Sequence, residues 1–327
     1  MEGAIVLEWP LPLYCLPFVF INDFKVLKEV KRTLSTFIQQ LINGITLGSV
    51  YALISLGYTM VYGIIKLINF AHGDIFMVGA YIAYLSVTYL KLGLIPSLIL
   101  SMTFCSVLGM LIEKFAYKPL RNLPRISALI TAIGVSLLLE NLMQIIMGAD
   151  SRVFPRLVDE KNYHLLQGRI VVNNKQIYLL IITILLMIIL NFVVKKTKIG
   201  KAMRAVSQDM DAARLMGINV DTTISYTFAI GSALAAAAGV LVGLYYNTIN
   251  PLMGVLPGLK AFIAAVFGGI GIIPGAMLGG FSLGIIETLV SGYGSSMYKD
   301  AVAFALLILI LIIKPSGLLG KNIKEKV

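Results

Sequence analysis

Two carboxylates stand where a charge is expensive. Glu140, beside Asn141 and with Gln144 one turn on, and Glu287 both fall inside long apolar runs. An ionisable group at membrane depth is a functional hypothesis by default, because water is not there to stabilise it. The chemistry within reach is holding a proton or a polar solute; the competing reading is a structural glutamate bonded to a neighbouring helix. His72 and His164 are the only histidines, and neither has a second ligand at metal spacing, so no metal site is expected. Cys15 and Cys105 are far apart and suggest no disulfide framework. The chain holds no G-x-x-x-x-G-K-[ST] phosphate loop, so it is not its own ATPase of that type. Nor does a nucleophile elbow, a paired-histidine motif or a dinucleotide fingerprint occur in a plausible context. No residue is assigned a catalytic role, and no enzyme is expected.

A second cluster carries mechanical rather than catalytic chemistry. Lys201–Asp221 reads KAMRAVSQDMDAARLMGINVD and is far more polar than its neighbours. Asp209 can cap a helix starting at Met210, Asp211 adds negative charge at the positive end of the helix dipole, and Gly217 suits a left-handed end. The expected helix has about seven residues and is roughly 10 Å long. Its middle, Ala212-Ala213, lets another surface approach closely. A docking surface is one reading and a solvated connector the other.

The elements that must position these residues are membrane helices. Apolar residues are 58% of the chain, charged residues 13%, and the mean hydropathy is +0.89, so lipid is the main solvent. An all-α polytopic membrane protein of about eight transmembrane segments follows, with broken or re-entrant helices among them. The expected spans are 37–65, 75–90, 95–117, 127–147, 177–194, 222–246, a broken pair within 259–289, and 298–313. Residues 1–36 read as an interfacial or disordered extension, 37–318 as the membrane domain and 319–327 as a basic cytoplasmic tail. The net charge of +11 does not point to nucleic acid, because the basic residues sit in short loops beside apolar spans. Lys114, Lys118, Arg121 and Arg125, the Lys195–Arg214 stretch, and the tail lysines all go to the cytoplasm in one orientation. That orientation puts Lys25, Lys28, Lys31 and Arg32 outside, against the rule.

Two glycine-containing breaks, Asn69–Asp74 and Gly268–Gly275, are the best pointers to a pathway. Interrupted helices leave backbone groups that lipid cannot satisfy, so they line a cavity or pack in protein. Asn69, His72, Asp74, Glu140, Gly271, Pro274 and Glu287 are therefore the candidate translocation residues. Gly44-x-x-x-Gly48, Gly275-x-x-x-Gly279 and Gly280-x-x-x-Gly284 read as helix packing.

The stretch GITLGSVYALISLGYTMVYGIIKLINFAHGDIFMVG at Gly44–Gly79, with Asn69-Phe70-Ala71-His72-Gly73-Asp74 its most specific part, strongly resembles the branched-chain amino acid permeases of ABC importers, H-type subunit. PGLKAFIAAVFGGIGIIPGAMLGGFSLGIIE at Pro257–Glu287 is similar to the family's second hallmark. The resemblance runs from about Phe37 to about Gly317 and implies the ABC importer permease fold. It also implies an ATPase-docking loop of the Glu-Ala-Ala-x-x-x-Gly type at Asp211, Ala212, Ala213 and Gly217. Aspartate replaces glutamate there, and the proline of the fuller pattern is missing. The implied partners are an M-type second permease, two ABC ATPase subunits holding ATP and Mg, and an extracytoplasmic binding protein. No cofactor is expected on this chain. The implied place is a bacterial or archaeal cytoplasmic membrane, multi-pass. Urea or short amides are an alternative cargo, and a proton-coupled carrier using Glu140 and Glu287 is an alternative class.

Overall fold

A computed structural model describes residues 16–320 apart from 122, 166 and 167, with only the backbone described for 16–32 and 125. The described residues are mostly helical, and among them eight helices are long and apolar enough to cross a membrane. They are α1 (Leu16–Ile65), α2 (His72–Leu90), α3 (Leu94–Ile112, prolonged by a π-helical and then a 3-10 turn to Leu120), α4 (Arg125–Met147), α5 (Asn174–Lys196), α8 (Val220–Tyr246), α10 (Ile273–Tyr293) and α11 (Lys299–Ile313, entered by a short turn). Two short helices, α6 (Lys198–Gln208) and α7 (Met210–Leu215), join α5 to α8, and α9 (Val255–Gly268) precedes α10.

One boundary differs from the expectation. Helix α1 is continuous for 50 residues from Leu16, so the later part of the expected extension, 16–36, continues the first span. Pro17 falls in its first turn, where a missing N–H is tolerated, and no further proline occurs before Ile65. Residues 1–15 and 321–327 lie outside the described residues.

Burial ranks the helices. In their most apolar segments α1 is 83% buried and α8 78%, against 17% for α4 and 11% for α11. The first pair forms the centre of the bundle, and the second faces lipid or another chain. Lipid gives no hydrophobic drive for helices to associate, so close backbone approach has to supply the attraction. The small-residue motifs do this. A Cβ on Gly284 of α10 would lie 2.2 Å from the Gly48 nitrogen of α1, and one on Gly279 would lie 2.0 Å from the Ala264 carbonyl oxygen of α9.

The expected break between the last pair of spans is present. Helix α9 ends at Gly268, residues 269–272 turn, and α10 starts with Pro274 in its first turn. With 14 residues α9 is only about 21 Å long, too short to cross alone. The 66–71 connection is a second interruption. It sets the start of α2 beside α1, where Gly57 faces the His72 imidazole.

The outer side is closed by two small antiparallel ladders. β1 (Arg152–Val153) pairs with β4 (Thr248–Ile249), and β2 (Asn162–Leu165) with β3 (Ile170–Asn173). Gln39 of α1 exchanges two hydrogen bonds with the backbone of Val171, at 3.0 and 2.8 Å, which ties the first span to this hairpin. The start of α1 and the 148–173 connection therefore share one side of the bundle. The basic loops 114–121 and 195–214 share the other, which is the cytoplasmic side by charge.

Candidate functional site

The polar stretch between α5 and α8 is built as its residues suggest. Thr197 caps α6 by accepting from the Gly200 N–H at 3.1 Å. Asp209 then caps α7, its carboxylate accepting from the Asp211 and Ala212 N–H groups, both at 2.9 Å. At the other end the Gly217 N–H reaches the Arg214 carbonyl and the Ile218 N–H reaches that of Ala213, with Gly217 left-handed at φ 80°. Ala213 is buried against the protein's own surface, while Leu215 and Met216 are 88% and 82% exposed. Two large apolar side chains thus project from the cytoplasmic tip. A Cβ added at Gly217 would meet nothing within 4 Å, so the glycine is not needed for packing in this chain.

The candidate pathway residues do not gather into one site. Asp74, Glu140, Gly271 and Glu287 fall on three cavities at three depths, and Asn69, His72 and Pro274 line none of these. The innermost, about 100 Å³, is lined by Gly271 with Gly63 of α1 and Met203 and Ser207 of α6. Pro274 shapes it only indirectly, by starting α10.

A middle cavity of about 180 Å³ holds Asp74, Ser136 and Glu140 between α2, α4 and the start of α9. Ser136 donates to the Asp74 carboxylate. Gly73 and Gly254 meet there: a Cβ on Gly73 would lie 2.5 Å from the Gly254 carbonyl oxygen. His72 is buried edge-on to Tyr58, with ring centroids 4.7 Å apart. Asn69 is buried one turn earlier and accepts from the Tyr117 hydroxyl at 2.7 Å. Glu140 is thus beside a second carboxyl group, a neighbour the sequence alone did not supply.

Glu287 is elsewhere, on the outer cavity. This is the largest of the three, about 400 Å³, between α1, α8, α9, α10 and the start of α11. Lys260 of α9 is buried and pairs with Glu287 at 2.6 Å and with Asp300 at 2.6 Å. The Tyr51 hydroxyl donates to the other Glu287 oxygen at 2.8 Å. Lys260, Asp300 and Tyr51 were missed from sequence. Lys260 was the available signal, a lone cation in an apolar run of the second hallmark.

The sequence also missed a cytoplasmic network. A π-helical turn at Glu113–Tyr117 follows α3 and directs Glu113 inward. The buried Glu113 carboxylate accepts from Arg121 and from the Ser225 hydroxyl. Arg121 also pairs with Asp221 at 2.6 Å, and Lys118 pairs with Asp221 at 2.8 Å. Asp221 lies in the first turn of α8, five residues after Met216.

A polytopic bundle with a re-entrant short helix, cavities at successive depths and a capped cytoplasmic helix defines a membrane permease rather than an enzyme. The comparison with known proteins gives the family. Residues 40–311 match the model of the branched-chain amino acid transport system permease component, and the chain belongs to that family. It is 45% identical over 301 residues to the high-affinity branched-chain amino acid transport system permease protein LivH of Escherichia coli K12, covering 89% of this chain and 98% of that one. The corresponding protein BraD of Pseudomonas aeruginosa is 45% identical over 302 residues, with the same coverage. A probable LivH of Methanocaldococcus jannaschii is 30% identical over 292 residues, covering 84% of this chain and 89% of its own. Eight apolar helices and this family membership make the chain a multi-pass inner-membrane transport protein.

Proposed function

We propose that this chain is the permease subunit of an ATP-binding cassette importer and moves branched-chain, hydrophobic amino acids across the cytoplasmic membrane. Two separate ATPase subunits supply ATP hydrolysis, an M-type permease completes the membrane part, and an extracytoplasmic protein delivers the amino acid. The observation that carries this reading is α7: a short helix, capped at both ends, that holds Leu215 and Met216 open to the cytoplasm. Exposed large apolar side chains on a rigid, charged-flanked tip suit an apolar groove on another subunit. Asp211, Ala212 and Ala213 form the body of that docking helix, and Gly217 lies just past its end.

The mechanical route is short. Four residues, Met216 to Asn219, link α7 to α8, and Asn219 caps α8 by accepting from the Thr222 N–H at 3.0 Å. A push on α7 therefore reaches Asp221, and through Arg121 and Glu113 it reaches α3. Closure of the ATPase dimer would move these spans together and switch access from one side to the other.

The test is leucine uptake into vesicles carrying the complete importer. Uptake should require internal ATP and persist when the proton gradient is collapsed, and excess leucine should compete where urea does not. Uptake that follows the proton gradient without ATP would refute the reading. Topology has its own check. With Cys15 and Cys105 replaced, Tyr163→Cys should react with an impermeant thiol reagent in intact cells, and Gln208→Cys only after the membrane is opened. Labelling of Gln208→Cys from outside would invert the orientation.

A further inference from the structure

We infer that the outer cavity is the cargo site of this chain and recognises the zwitterion of an α-amino acid. The inference rests on the reading of the chain as an amino acid permease and adds where and how the amino acid is held. Two cations, Lys260 and Lys299, and two anions, Glu287 and Asp300, line one cavity, so the lining is charged group by group and neutral in sum. An α-amino acid carries one ammonium and one carboxylate and is likewise neutral in sum.

The charges are not spent on the fold alone. Lys260 is shared by Glu287 and Asp300 and is buried, so it fixes both carboxylates in place. Removing charges from water to make such a triad is costly, and an apolar core of the same volume would serve the fold at least as well. Lys299, the next residue along from Tyr298 at the start of α11, makes no ion pair among the described residues and opens on the cavity. Asp300 keeps part of its carboxylate free, its side chain being 38% exposed. A ligand ammonium has Asp300 to meet, and a ligand carboxylate has Lys299.

Part of the lining is apolar. Val50 of α1, Val242 of α8, and Met253 and Leu256 before and in α9 face the same space, which suits a branched aliphatic side chain. Methionine adapts to more than one such shape. A cavity of about 400 Å³ is at the small end of ligand sites, in keeping with a small solute. Urea and short amides carry no fixed charge and would leave Lys299 and Asp300 without partners. Because Glu287 and Lys260 already satisfy each other, the ligand gains only the outer two contacts, and the site binds weakly enough to release its cargo. Lys260 is a positioning residue, while Lys299 and Asp300 touch the ligand.

The experiment uses the complete importer in vesicles, with Cys15 and Cys105 replaced by serine. Ser291, which is exposed on the cavity, is changed to cysteine and titrated with an impermeant thiol reagent. Leucine should slow the modification about fivefold or more as it occupies the site. Neither 4-methylpentanoate, which lacks the ammonium, nor 3-methylbutylamine, which lacks the carboxylate, should do so, and Ser296→Cys outside the cavity should be unaffected. Adding Lys299→Gln should abolish the slowing by leucine, whereas Lys299→Arg, which keeps the charge, should preserve it. Leucine uptake with no slowing up to the solubility limit of leucine overturns the site. Equal slowing by all three compounds overturns zwitterion recognition. Slowing by leucine in an importer that does not take up leucine upholds the site and refutes only the cargo reading.

Discussion

The bundle contains two ionic networks, one on each side, and they differ in what surrounds them. On the outer side Lys260, Glu287 and Asp300 border a cavity of about 400 Å³. On the cytoplasmic side Glu113, Arg121, Asp221 and Lys118 bridge the end of α3 to the start of α8, and none of them lines a described cavity. Both use a buried charge held by two partners. The outer one leaves Lys299 open toward solvent, whereas in the inner one every charge is answered by another. Charges beside space can receive a ligand; charges packed between helix ends transmit force. The comparison teaches that the same costly device serves recognition at one end and bracing at the other.

The largest effect should come from Lys260→Met. It leaves Glu287 and Asp300 without their shared cation at membrane depth, a loss of about 3–5 kcal/mol by the measure of other broken buried pairs. Thermal stability in detergent should fall accordingly, and leucine protection of Ser291→Cys should vanish. The double variant Lys260→Met with Glu287→Leu should regain much of the stability and none of the protection. Recovery of protection in the double variant would break the contrast, because the outer charges would then be only structural.

Arg121→Met comes next. It strips Glu113 of its guanidinium but leaves it the Ser225 hydroxyl, and it leaves Asp221 the Lys118 ammonium. With Asp221 half-exposed, the expected loss is about 2 kcal/mol. Protection by leucine should be unchanged, whereas ATP hydrolysis should lose its dependence on delivered substrate. Loss of leucine protection in this variant would show that the two networks are not separate in role.

The smallest effect concerns the outer closure. Lys175 of α5 donates to Glu160 at 2.5 Å and to Asn247 at 2.7 Å, holding the 148–173 connection against the end of α8. The Lys175 hydrogen bond and charge keep the Glu160 carboxyl below the usual glutamate range. Its folded pKa being depressed, the contact stabilises above that range and is lost as pH falls through the folded value. Glu160→Gln should flatten this acid limb in a melting series, with no change near neutral pH in leucine protection. An unaltered acid limb would contradict the assignment.

Much of this was legible in the sequence because it is local. The spans, the break at Gly268–Gly275 and the caps at Asp209 and Gly217 each depend on residues within a turn or two. The glycine motifs read as packing also hold, since Gly48 meets Gly284 and Gly279 meets Ala264. What was not legible is long-range. Glu287 was singled out for its depth, yet its partners Lys260 and Tyr51 lie 27 and 236 residues away. The π-helical turn at Glu113 leaves no compositional mark, so Arg121 was read only as a basic loop residue. The continuous helix from Leu16 was hidden by Pro10, Pro12 and Pro17, of which only Pro17 lies within α1, in its first turn.

The most direct test of the division between a cargo end and a drive end is Gly217→Arg. Within this chain a Cβ at the exposed position 217 has nothing within 4 Å, so the main internal cost is a left-handed non-glycine residue, on the order of 1 kcal/mol. The variant should therefore insert, melt within a few degrees of the native chain and keep leucine protection of Ser291→Cys. In the assembled importer it should abolish ATP-driven leucine uptake and weaken co-purification of the ATPase subunits. Normal uptake by Gly217→Arg with its ATPases bound would show that α7 is a mere connector and that the drive enters the bundle elsewhere.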